Sequence, residues 1–195
     1  MSERILATWL VAADDADRAA IDGWCRSAMQ DHDVTGFVQM PPGRGQLASG
    51  HGALLLGDRG DLLASPPPWV VDWHAATFQE RLVRTTGPDP DPRAAACILL
   101  TRTFVPDEMQ AVFRTWLDEE HSQLQLTVPG NHWYRGYEEA GGRRSLMNLW
   151  GIDGVDTAEG AVWTRTRSTP WRERMVPAMG DMNRAFYEPV RPAAT

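Results

Sequence analysis

The sequence predicts an α+β fold in which two copies of one β-α-β-β-α-β unit, fused in a single chain, close face to face into one α/β barrel. Three observations predict it. The same order of strand-like and helix-like segments recurs in the two halves of the 195 residues, and an internal repeat of this kind decides the whole architecture. The stretch Gly87-Pro88-Asp89-Pro90-Asp91-Pro92 separates the halves and has the composition of a linker. A unit of about 95 residues carrying helices on one sheet face only leaves its other face wet, and a second copy covers it.

Each element has its counterpart. Ile5–Ala12 and Cys97–Phe104 are short strand-like runs, each followed by an acidic turn, Asp14-Asp15 or Pro106-Asp107-Glu108, suited to a helix N-terminus. Helices with a tryptophan on the apolar stripe follow, Ile21-Trp24-Ala28 in the first half and Val112-Phe113-Trp116-Leu117-Leu124 in the second. Val34-Thr35-Gly36 and Val128-Pro129-Gly130 match as the close of the helical region and the approach to a strand. Phe37–Met40 then stands opposite His132–Tyr137, a glycine turn at Gly43–Gly45 opposite Gly141-Gly142, and Ala53–Leu56 opposite Leu146–Ile152. Ser65-Pro66-Pro67-Pro68-Trp69 and Ser168-Thr169-Pro170-Trp171 each introduce a second helix and a last strand. Such a unit is ferredoxin-like, with the N-terminal copy over residues 1–90 and the C-terminal copy over 91–195.

Composition narrows the function. With 43% hydrophobic and 23% charged residues the chain is an ordinary globular protein. No apolar run approaches the roughly 20 residues that span a bilayer. The N-terminus lacks signal-peptide features, so a cytoplasmic protein without a membrane partner is expected. A net charge of −7 and the lack of a basic patch argue against nucleic acid. Cys25 and Cys97 have no ligand or disulfide spacing and read as small core residues. All 19 basic residues are arginine, which rules out Schiff-base chemistry and a phosphate-loop lysine. Gly43-Arg44-Gly45 is too short for a nucleotide fingerprint. Asp118-Glu119-Glu120-His121 fans around its helix with no second His/carboxylate pair at helical spacing, so neither metal nor organic cofactor is expected.

The chemistry-bearing residues fall in the second half. His121 lies four residues beyond Leu117 and eight beyond Phe113, on the apolar helix face with Trp116 nearby. An inward imidazole with a pKa near 6.5 takes and returns protons at neutral pH. His132 and Tyr134 alternate with Trp133 and Arg135 along a strand, so one pair faces the helix layer and the other does not. If it is His132 and Tyr134, they join His121 around a carbonyl and the tyrosine donates to an enolate. If it is Trp133 and Arg135, the arginine holds a carboxylate or phenolate. Asn148 and Trp150 alternate with Met147 and Leu149, and Asn148 orients a ligand or satisfies the backbone. Nine tryptophans against three tyrosines supply flat walls for an aromatic ligand. His51 and His74 lie in the first half without a motif.

Trp116-Leu117-Asp118-Glu119-Glu120-His121, Val128-Pro129-Gly130, Thr169-Pro170-Trp171 and Tyr187-Glu188-Pro189-Val190, in that order, resemble the EthD-like group of the dimeric α/β-barrel superfamily. Residues 3–86 match only through the repeat, with Met29 roughly where His121 would fall, so the first half is degenerate and supports a site in the second. The resemblance implies a cavity between sheet and helices and a repertoire of polyketide cyclases, cofactor-free oxygenases and lactone isomerases. The leading expectation is a cofactor-independent cyclase, lyase or isomerase acting on an apolar or aromatic metabolite. In it His121, Tyr134 and His132 are catalytic, and Trp116, Trp133, Arg135, Asn148 and Trp150 bind substrate. The alternatives are a cofactor-free oxygenase of a phenol and a non-catalytic binder of a hydrophobic metabolite. The fused repeat leaves a monomer sufficient while permitting a homodimer.

Overall fold

Runs of β-branched and aliphatic residues at Arg4–Ala12 (β1), Val34–Gln39 (β2), Gly52–Gly57 (β3), Val70–Thr85 (β4), Cys97–Phe104 (β5), Asn131–Glu139 (β6), Ser145–Ile152 (β7) and Met182–Pro189 (β8) form strands. They are seen in a computed structural model that describes residues 4–13, 16–40, 52–57, 66–87, 91–141 and 145–191. The strands close into a barrel in the order β1-β3-β2-β8-β5-β7-β6-β4, and all neighbours are antiparallel. Within the first four strands the lateral order is β4-β1-β3-β2, and within the last four it is β8-β5-β7-β6. The seams between the halves are β2 with β8 and β4 with β6.

Strand alternation divides the side chains between two environments. Ile5, Ala7, Trp9, Phe37, Leu54, Phe78, Ile98, Leu100, Trp133, Tyr137, Met147, Leu149 and Tyr187 form a single buried cluster inside the barrel. Gly151 makes room for the largest of these, because a Cβ added there would fall within the Trp133 indole. The outward faces meet helices. Asp17 caps Arg18–Asp31 (α1) by accepting from the Ala19 N–H at 3.0 Å. Ile21, Cys25 and Ala28 are the buried stripe of α1, and Ile21 and Cys25 pack with Val38, Ala53 and Leu55 of the first half. The second half is covered by Gln110–Trp116 (α2), a π-helical turn at Leu117–His121, and Ser122–Leu126 (α3). Three short helices follow β7: Val155–Glu159 (α4), Ala161–Thr166 (α5) and Pro170–Met175 (α6).

Three expectations require correction. Pro66-Pro67-Pro68-Trp69 does not open a helix; the chain passes directly into the 16-residue strand β4, whose Val70, Val71, Trp73, Thr77, Phe78 and Val83 favour extended backbone. Val34-Thr35-Gly36 lies inside β2, while Val128-Pro129-Gly130 is the turn before β6, with Gly130 at φ +83°. The two tripeptides therefore occupy different places. The linker is not wholly irregular, since Asp91 caps a single 3₁₀ turn at Pro92–Ala94. Gly43–Gly45 and His51 lie outside the described residues.

The Gly151 position is testable. Gly151→Ala is expected to lower stability by about 1–3 kcal/mol through overpacking against Trp133. In a Trp133→Leu background the same change should cost much less, as measured by urea unfolding of the double-mutant cycle.

Candidate active site

On the helix-facing side of the second half, β5 presents Leu99, Thr101 and Thr103, β7 presents Asn148 and Trp150, and β8 presents Met182 and Arg184. Above them lie Phe113, Trp116, Leu117 and His121 from α2 and the π turn, Trp163 from α5, Arg167 at its C-cap and Arg172 from α6. These residues enclose a cavity of about 60 Å³, room for a few waters, rimmed by the partly exposed Arg167, Arg172, Met179 and Met182.

The π turn sets the aim of His121. The Ser122 N–H reaches back five residues to the Leu117 carbonyl, the spacing that marks a π turn. The Asp118 carbonyl collects side-chain donors instead: Arg84 at 2.8 Å, Gln123 at 3.3 Å and Ser122 at 3.4 Å. Arg81 of β4 pairs with the Asp118 carboxylate. Two arginines of the first half thus hold the turn that carries the histidine of the second. A register shift in β4 between Glu80 and Leu82 is where Arg81 leaves the regular alternation.

His121 stacks on Trp116 (4.5 Å between ring centroids, 27° between planes) and meets the edge of Trp150 at 5.7 Å. Burial, and then the charges of Arg172 and Arg167, push its pKa down to about 3, so the expected value near 6.5 is corrected and the ring is neutral at neutral pH. Arg167 and Arg184 are themselves lowered by burial, and the Arg167 Nε has no hydrogen-bond partner among the described residues. Among the described residues the cavity lining contains three guanidiniums and no carboxylate. Glu120 stands outside it, accepting from Trp116 Nε1 at 3.1 Å and from the Thr169 hydroxyl at 2.6 Å. Thr169 in turn accepts from the Arg172 N–H at 3.1 Å as the cap of α6. The Asp-Glu-Glu-His and Thr-Pro-Trp segments are thereby tied together.

Of the residues singled out from sequence, His121, Trp116, Asn148 and Trp150 line this one cavity. Tyr134 lies beneath it, fully buried, donating to Asn148 Oδ1 at 2.8 Å and packed on Trp150 at 4.5 Å. The Asn148 amide passes the chain on to the Thr101 hydroxyl at 3.2 Å. Burial raises the Tyr134 phenol well above its ordinary pKa, which keeps it a donor. Gly136 leaves space for that hydroxyl, since a Cβ there would stand 2.5 Å from it. The other candidates lie elsewhere: the pleat turns Trp133 and Arg135 to the opposite face from Tyr134, and His132 sits at a register shift between Asn131 and Trp133. His132 is exposed and bonded to Asp153 at 2.6 Å, Trp133 is inside the barrel, and Arg135 pairs with Glu80 at 3.2 Å.

Sequence reasoning passed over Trp163, Arg167, Arg172 and Arg184; the signal for two of them was their place on either side of Ser168-Thr169-Pro170-Trp171. Cys25 and Cys97 are buried, and burial pushes both thiols up to about 12, so neither is an activated nucleophile. Among the described residues no group of three or more His, Cys, Asp or Glu is placed to hold a metal ion, and no helix is long and apolar enough to cross a membrane.

The barrel fold is found in known structures. A candidate monooxygenase from Fusobacterium nucleatum superposes with a TM-score of 0.64 at 10% identity, over 96% of this chain and 93% of that one. An anthrone oxidase-like protein gives 0.65 at 11%, over 98% and 96%. A ferredoxin-fold protein of Listeria monocytogenes related to antibiotic biosynthesis monooxygenases gives 0.54 at 11%, over 96% and 95%. The chain therefore has the α+β ferredoxin-type barrel fold of these proteins. No family model matches the chain, and no curated protein matches it.

The depressed pKa of His121 has a direction. Between about pH 6.5 and 3 the unfolded chain binds a proton that the folded chain refuses, so stability falls as pH is lowered through that window. Urea unfolding from pH 7.5 to 4.5 should show a decline that His121→Gln makes shallower, by at most about 1.4 kcal/mol per pH unit.

Proposed function

We propose that the protein is a cofactor-independent oxygenase of a phenolic or enolisable aromatic molecule. The observation that carries the reading is a neutral imidazole wedged between two indoles in a cavity whose charged lining, among the described residues, is three arginines. The names of the structural neighbours, which include monooxygenase and anthrone oxidase-like, support oxygenase chemistry over the cyclase, lyase or isomerase reading.

The steps follow from the residues. Guanidiniums in a poorly hydrated site lower the pKa of a phenol bound among them and stabilise the anion. The bound anion offsets the Arg172 and Arg167 charges that depress the His121 pKa, and in that complex the neutral imidazole accepts the proton released from the substrate O–H or the acidic ring C–H. The electron-rich anion reduces dioxygen; one oxygen atom becomes a ring carbonyl and the other leaves as water, with all four electrons supplied by the substrate. Tyr134, through Asn148, fixes the polar edge of the floor. A ring-sized substrate enters by displacing the rim thioethers Met179 and Met182, which rearrange readily.

Strand order also supports reading the chain as two fused ferredoxin-like copies with a boundary near residue 90, the EthD-like landmarks lying in the second. The two seams close the strand edges and the inner faces of both halves pack on one another inside the barrel, which supports a monomer as sufficient.

Anthrone and simpler hydroxynaphthalenes serve as probes in an oxygen electrode. The expected result is one dioxygen consumed per quinone formed, with kcat reduced about 10²–10⁴-fold in His121→Gln and KM raised about tenfold in Arg167→Met. Product formation without oxygen uptake, or unchanged turnover in His121→Gln, overturns the reading.

A further inference from the structure

The opposite face of β5 and β8 builds a second pocket, one that the proposed oxygenase chemistry does not use. A cavity of about 250 Å³ opens at one mouth of the barrel interior. Its floor and wall are the Trp9 indole with the His74 ring stacked on it at 4.7 Å and 9°, and its polar side chains are Gln39, His74, Arg102, Tyr187 and the exposed Asn183. Gln39 and Tyr187 are register partners across the β2–β8 seam, so they project to the same side.

Two features distinguish this from an ordinary gap. Gln39 is only 7% exposed, yet its Nε2 donor has no partner among the described residues, a state that native interiors rarely leave uncompensated. Each Arg102 nitrogen is engaged: Nε donates to Ser145 Oγ at 2.8 Å, one terminal nitrogen to Glu139 at 3.1 Å, and the other to His74 Nε2 at 2.9 Å. Its guanidinium also lies 4.9 Å from the ring centroids of both Trp9 and Phe104. Because arginine only donates, His74 Nε2 is the acceptor and Nδ1 carries the ring proton. Burial and the charge of Arg102 lower the His74 pKa, which keeps that tautomer neutral.

Deep in the pocket, beside a flat aromatic wall, the unpartnered Gln39 amide N–H and the Tyr187 hydroxyl are available as donors, and among the described residues no carboxylate lines it. The Arg102 charge is already matched by Glu139, so there is no surplus positive charge for an anion. We infer that this barrel-mouth pocket is a second small-molecule site, for a neutral, planar, single-ring carbonyl compound that stacks beside Trp9 and accepts from Gln39.

Benzamide is a suitable probe, followed through the imidazole C–H resonances of the five histidines, with His74 assigned by the signal missing in His74→Gln. Titration should give a saturable shift of the His74 signal and leave that of His121 in place. Ala185→Leu, which fills the pocket from β8, should abolish the shift. Gln39→Leu, which keeps the side-chain volume, should weaken binding about tenfold and serves if Ala185→Leu disturbs the barrel. Benzoate, of the same shape but charged, should bind at least about tenfold more weakly. A His74 signal that does not move, a shift that survives in both variants, or benzoate binding as tightly as benzamide overturns the inference. None of these outcomes depends on catalysis in the sheet–helix cavity.

Discussion

An antiparallel sheet that closes on itself gives up its free edges and gains two unlike faces, so each strand must serve a packed interior and an outer layer at once. In this chain the interior is dominated by large rings, Trp9, Phe37, Phe78, Trp133 and Tyr137, and the outer layer of the second half by a separate group around Tyr134, Trp150, Trp163 and Phe186. Alternation along β5, β6, β7 and β8 assigns residues to one or the other. The helix-covered cavity and the barrel-mouth pocket are two sides of the same strands.

The halves are unequal in what they contribute. After α1 the described residues of the first half contain no further helix; its last strand instead runs for 16 residues, its distal part beside β6. That length brings Arg81 and Arg84 to the π turn, where they bind the side chain and the carbonyl of Asp118. A π turn leaves the ordinary hydrogen-bond ladder incomplete, and guanidiniums have enough donors to complete it. The geometry of His121 therefore depends on the seam between β4 and β6, and the first half acts on the site through that seam.

Much of this was legible in the residues. The strand-like runs at Ile5–Ala12 and Cys97–Phe104 became β1 and β5, and the spacing of Phe113, Leu117 and His121 placed the imidazole on the inward face of its helix. Other features were hidden for identifiable reasons. Period-2 alternation gives two faces for His132 to Tyr137 but not which faces the helices; the neighbours β4 and β7 decide that. The proline run before Trp69 was compatible with a helix start or a strand start, and the β-branched residues that follow settled it. Arg167, Arg172 and Arg184 come from a short helical segment and a distant strand, and only tertiary packing brings them to one cavity. The depressed pKa of His121 is likewise a property of assembled surroundings, because it arises from burial and from the charges of Arg172 and Arg167.

The back-to-back placement of the two cavities also restricts how the gene can change. Thr101, Thr103 and Arg184 face one cavity, and Leu100, Arg102 and Ala185 face the other. Inserting or deleting one codon within β5 or β8 would invert every following side chain, moving the Arg102 network out of the barrel and turning hydroxyls or a guanidinium into its apolar interior. Point substitutions can tune either pocket alone, whereas a single-residue length change in these strands damages both together. Length variation among descendants of this sequence should therefore collect in the connections between strands.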